Sequence, residues 1–160
     1  MDSVDLALQK LDEAINIDSN NDYLYHIKAY IAHKSIKYDL AIECYKKSIE
    51  INPDNYIIFI NWASTLLLIA HFKNNINSYK EEIESILQKA EAIKEGSGSY
   101  NLACLYSLLG QKDVALTWLK KDLEHGPTQT IEHILSDQDL NNIKSDSRFN
   151  ELLDKYYPKE

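Results

Sequence analysis

The residues of this 160-residue chain best suited to chemistry are five histidines, His26, His33, His71, His125 and His133, and two cysteines, Cys44 and Cys104. Two imidazoles make a helical metal site when they stand on adjacent turns of one face, four residues apart. His26 and His33 share a face but lie a further turn apart, too far for that pairing. Neither cysteine has a CxxC partner, and each sits in an apolar helical pattern where a buried, reduced thiol is expected. There is no HExxH, no GxSxG, no phosphate-cradling glycine loop and no Cys–His signature. The many carboxylates fall on solvated faces and near helix starts, where charge is expected. The sequence therefore predicts no enzyme, no cofactor and no metal. Its His and Tyr side chains are better read as contact residues, which offer area and a polar handle at low entropic cost.

Bulk properties narrow the partners. The chain is 44% hydrophobic and 26% charged, with only four Gly and three Pro, a composition that suits helices rather than a turn-rich β domain. The net charge is −8. An acidic surface repels a phosphate backbone, and the lysine pairs in YKKSIE and LKKDLE are flanked by acids, so no nucleic acid is expected. MDSVDLALQK has no apolar core of a signal peptide. The run YIIFINWASTLLLIAHF, 56–72, falls short of the about 20 residues a spanning helix needs and carries Asn61, Ser64 and Thr65. It reads as a core helix, so no membrane insertion is expected. These features predict a soluble, cytoplasmic protein, and the Asn, Ile and Lys bias points to an AT-rich bacterial genome.

Amphipathic segments with short polar breaks predict helices over 3–17, 22–34, 38–51, 54–72, 78–94, 98–109 and 112–124. Shorter ones are predicted over 128–135, 137–143 and 146–156. No stretch alternates with period two, so the fold class is all-α. The helices also repeat. Ala7, Leu11, Ala14, Ile15, Ile17 and Asn21 recur 34 positions later as Ala41, Tyr45, Ser48, Ile49, Ile51 and Asn55. A period of that length built from two helices is the signature of a helical-hairpin array.

At these residues the chain resembles the tetratricopeptide repeat family. In the unit from Asp22, Tyr25 takes the early aromatic place and Ala29 the small one, and Tyr38, Ala41, Tyr45, Ser48 and Pro53 follow in the second helix. Ile36 stands where the family's turn glycine belongs. In the unit from Gly96, Ala103, Tyr106, Gly110, Ala115, Leu119 and Pro127 fit, but Asp122 stands where the pattern wants Ala, which implies an open helix end or a solvated position. The unit from Tyr56 fits through Phe59, Ala63 and Leu66, then Ile83, Leu87 and Ala90, if extra residues follow Ala70. The resemblance implies a right-handed α-α superhelix of helix pairs. It divides the chain into a half repeat at 1–21, repeats at 22–55, 56–95 (with an insertion near 71–78) and 96–127, and a helical C-terminal cap at 128–160. The run YNLACLYSLLGQ and the tail after it are similar to a module that ends many bacterial groups of such repeats. Such a tail covers the last repeat's apolar face, with Asp137 and Asp146 as N-caps and Arg148 bridging to a nearby acid.

The resemblance also implies a concave groove lined by the first helix of each pair. Its expected lining is Tyr23, His26, Tyr30 and His33, then Ile60, Asn61, Ser64 and Leu68, then Tyr100, Asn101, Cys104 and Ser107. Some family members grip a C-terminal carboxylate with Lys and Arg here. Asn61 fits one such place, but Ser97 and Asn101 stand at basic ones, so no carboxylate clamp is expected. The implied function is non-catalytic binding of another protein or peptide. The alternative is assembly of copies through the uncovered flank of the first helix.

Overall fold

The computed structural model describes residues 3–158, so the outermost positions of the expected half repeat and cap lie outside the described residues. Its helices are α1 (Ser3–Ile17), α2 (Asp22–Lys34), α3 (Tyr38–Ile51), α4 (Tyr56–Phe72), α5 (Lys80–Ile93), α6 (Ser99–Leu108), α7 (Lys112–Glu124), α8 (Ile131–Ser136) and α9 (Ser147–Tyr156). Short 3₁₀ turns occupy Ile76–Ser78 and Gln138–Leu140, and no strand occurs among the described residues. The fold is an all-α helical repeat of the tetratricopeptide type. No helix among the described residues is long and apolar enough to cross a membrane.

Three turns follow one hydrogen-bonding scheme. After α2, the Lys37 amide donates to the Ala32 carbonyl at 2.9 Å; after α4, Asn75 donates to Ala70 at 3.0 Å; after α6, Gln111 donates to Tyr106 at 2.9 Å. Each is the six-to-one bond that closes a helix when the preceding residue turns left-handed. That residue is Ile36 at φ 62°, Asn74 at φ 49° and Gly110 at φ 72°. Only the last is the residue type that adopts this conformation without cost, and Ile36 is β-branched and strained there.

Between turns, α2 packs on α3, α4 on α5 and α6 on α7, while α3–α4 and α5–α6 join successive pairs. Ala29, Ala41, Ala63, Ala90, Ala103 and Ala115 are fully buried, which lets the helix axes approach. Tyr45, Ile58, Ile83, Leu87, Leu102 and Leu119 fill the spaces beside them. Each such burial contributes about 1.5–3 kcal/mol. Ser48 is buried too, but satisfied: its hydroxyl donates to the Asp22 carbonyl at 3.0 Å and ties the end of α3 to the start of α2.

The α5–α6 junction is built around Glu91. Its carboxylate accepts from the Gly96 amide (3.1 Å), the Gly98 amide (2.7 Å), the Ser99 hydroxyl (3.0 Å) and the Lys121 ammonium (2.7 Å). Burial pushes this acid upward, but Lys121, the two amides and Ser99 outweigh it and hold the group below the ordinary 4.5. The chain passes so close here that a Cβ on Gly98 would lie 2.8 Å from the Leu87 carbonyl oxygen.

Three expectations need correction. Asp122 is neither open nor solvated: it is fully buried, and its carboxylate accepts from the Thr128 hydroxyl at 2.8 Å. Thr128 lies beyond the helix end and folds back to supply the partner. The helix expected at 137–143 shrinks to the 3₁₀ turn Gln138–Leu140, since Asn141 and Asn142 favour turns over helix. The segment expected to be helical from 128 begins at Ile131, capped by the Thr130 side chain.

The tail folds over the last pair. The 3₁₀ turn rests on α6, and α9 rests on α7. Leu140, Ile143, Phe149 and Leu153 join the main core. Asp137 and Asp146 cap their turns through side-chain oxygens, as their positions predict. Arg148 bridges Asp146 at 2.6 Å and Asp113 at 2.8 Å. At the other end α1 rests on α2, held by Lys37 to Asp5 at 2.8 Å, and leaves Leu6 and Ile17 exposed.

Candidate partner-binding face

α2 touches α4 and α4 touches α6, so the first helices of the three pairs form one face. Helical spacing of three and four places His26, Tyr30 and His33 on it from α2, and Asn61 and Ser64 from α4. A polar ladder stitches the face together. Asn61 Nδ2 donates to His26 Nε2 at 3.1 Å. Thr65 Oγ1 donates to the Asn61 carbonyl at 2.8 Å, so it accepts from His33 Nδ1, also at 2.8 Å. Asn101 Nδ2 donates to Ser64 Oγ at 2.7 Å. Burial lowers both His26 and His33 below 6.5, opposed at His26 by Asp22 and assisted at His33 by Lys34. Both shifts favour the neutral ring, the form in which His26 Nε2 can accept from Asn61.

Two recesses open on this face. The smaller, about 300 Å³, is lined by Tyr23, His26, Ile27, Tyr30 and Asn61. Tyr23 and Tyr30 are 63% and 51% exposed and leave two large rings facing solvent beside this recess. The larger, about 460 Å³, takes His33, Ser64, Leu68, Tyr100, Asn101 and Cys104 from the helices, and its far wall comes from the tail. Tyr100 and Cys104 line it while nearly buried, at 4% and 3% exposure. Ile60 is half-buried against the core and lines neither recess. Ser107 is fully buried, and its carbonyl accepts from Asn142 Nδ2 at 2.7 Å, so it belongs to the tail contact and not to an open surface.

The tail's share of the recess, Gln129, His133, Asp137, Gln138 and Asp139, had no place among the sequence-derived site residues. Asp137 was legible as a cap, and one of its oxygens does accept from the Asp139 amide at 2.9 Å. Its other oxygen accepts from the Tyr100 hydroxyl at 2.7 Å and anchors the tail to α6. Burial, Cys104 and Asp137 all raise Tyr100 well above 10.0, and burial above all raises Cys104. Burial likewise pushes the Cys44 thiol up to about 11. Neither cysteine is a ready nucleophile on its own.

The same helix pairs are the ones that comparison with known proteins singles out. Residues 23–55, spanning α2 and α3, and 98–124, spanning α6 and α7, match the family described as Tetratricopeptide repeat. Two of the helix pairs thus match the tetratricopeptide repeat family. Among curated relatives, a chloroplastic protein of Arabidopsis thaliana is 35% identical over 77 residues, which is 48% of this chain. The chain covers 23% of that protein's length. That relative is a plant chloroplast protein, so it lends nothing to the expected bacterial origin or cytoplasmic location. The matched repeats end at residue 124, ahead of the tail whose likeness to a bacterial end module rests on its residues alone.

Proposed function

We propose that this chain is a non-catalytic interaction module that receives a peptide or partner helix along the face of α2, α4 and α6. The observation that carries this reading is the pair of recesses on one face, with two large exposed tyrosines at one end and a polar, partly acidic wall at the other. Tyr rings give contact area at small entropic cost, and the ladder has already fixed the polar groups between them. Tetratricopeptide repeats in general suggest a protein-binding role. A net charge of −8 favours a neutral or basic partner. Affinity capture with the wild type and with Tyr23→Ala plus Tyr30→Ala tests the reading. Both side chains are exposed, so the double variant folds normally. Loss of the captured partner is the expected result; undiminished capture refutes the face.

A second reading, assembly of copies, is favoured by the exposed Leu6 and Ile17 on α1, which is packed on α2. Light scattering across a concentration series separates it from the first, since a strict monomer at high concentration excludes it.

A further inference from the structure

Five metal-ligating side chains converge at the tail end of the larger recess. His71 comes from α4, Cys104 from α6, His133 from α8, and Asp137 and Asp139 from the turn after α8. All five line the same cavity. The Sγ of Cys104 and one carboxylate oxygen each of Asp137 and Asp139 lie within 4.8 Å of one another. The imidazoles flank this trio: His71 Nδ1 is 3.6 Å from Asp139 Oδ1, and His133 Nε2 is 3.7 Å from Asp137 Oδ2. Bonds of about 2.0–2.3 Å in a tetrahedral site put its donors about 3.3–3.8 Å apart. The imidazole–carboxylate pairs already stand at that separation, and the trio lies within 4.8 Å.

Local structure accounts for Asp137, which caps a turn and holds Tyr100. The same cap sets Asp139 beside it, since the Asp139 amide donates to Asp137 Oδ1 at 2.9 Å. Two carboxylates, a thiol and two imidazoles drawn from four elements are the surroundings a divalent cation would neutralise.

We infer that Cys104, Asp137 and Asp139, completed by His71 or His133, bind a divalent transition-metal ion, with zinc the best match to the donors. Thiolate and imidazole select zinc over magnesium or calcium, whose sites are built from oxygen. On binding, the Cys104 S–H bond breaks, its sulfur lone pair bonds to the metal and its proton leaves to solvent. Affinity therefore rises with pH. The ion ties α4, α6 and the tail together and closes one end of the recess. The inference runs against the expectation from sequence, in which no metal site was legible because the donors are spread from 71 to 139.

Titration of the full chain with Zn²⁺ by calorimetry and with Co²⁺ by absorption tests it. The expected result is one ion per chain, with the visible bands of tetrahedral cobalt and a near-ultraviolet sulfur-to-cobalt band. Cys104→Ala removes the sulfur band and Cys44→Ala retains it. Asp139→Asn, at a partly exposed position that keeps the fold by circular dichroism, weakens Zn²⁺ binding by about tenfold or more. His71→Ala combined with His133→Ala does the same. Absence of saturable Zn²⁺ binding, a cobalt spectrum without the sulfur band, or unchanged affinity in Asp139→Asn overturns the inference.

Discussion

Replacing the buried Asp122 by Asn should stabilise the protein at neutral pH and not at acid pH. Burial pushes the carboxyl from 3.8 up to about 6, opposed by the hydrogen bonds from Thr128 and assisted by the nearby Glu91. The folded protein thus holds this proton more tightly than the unfolded chain does. Below about pH 3 both states are protonated and the site costs nothing. As pH rises from there to above 6, the unfolded chain ionises first, so stability falls. At about 1.4 kcal/mol per pKa unit, the loss by pH 7 is about 3 kcal/mol. Asn keeps an oxygen for the Thr128 hydroxyl but adds an amide that needs a partner, at about 1 kcal/mol. The net gain at pH 7 is about 2 kcal/mol, which for a chain of this size raises Tm by about 4–8 °C. Urea unfolding of both proteins from pH 4 to 8 measures it. The difference between the two proteins isolates Asp122 from every other titrating group. A difference that stays flat across that range refutes the reasoning, because the carboxyl would then ionise as it does in the unfolded chain.

Two more substitutions probe the scaffold. Ile36→Gly should raise stability by about 1 kcal/mol, since relief of left-handed strain at a β-branched residue exceeds the entropic cost of glycine; thermal melts check the direction. Glu91→Gln should cost about 2 kcal/mol, because the added amide points donors at the Gly96 and Gly98 amides and at Lys121. Glu91 is held low in the folded state, so its contribution is present above 4.5 and is lost as pH falls through the folded value; urea midpoints at pH 7 and in acid show whether the wild type loses its advantage there.

The helix pairs were legible because the apolar pattern recurs every 34 residues and the small residues fall where helices cross. Ile36 was even readable as the occupant of a glycine place, and the backbone there is left-handed. Asp122 was misread because a family pattern records the usual residue, Ala, and says nothing of a Thr128 six positions on that makes a carboxylate tolerable. The helix-borne part of the face could be placed by helical spacing, with two exceptions. Ile60 and Ser107 lie on the correct helices but turn towards the core and the tail. The acidic wall was not legible, since the fold-back of 129–139 over α6 has no periodic signal. It depends on single contacts such as Tyr100 to Asp137.

The central claim is that partners dock on the face of α2, α4 and α6. Amide hydrogen exchange of the free chain and of the chain with its captured partner tests it most directly. The account predicts slowed exchange in α2, α4 and the turn around Asp137, with α3, α5 and α7 unchanged. Protection confined to α3, α5, α7 or α9 would contradict it.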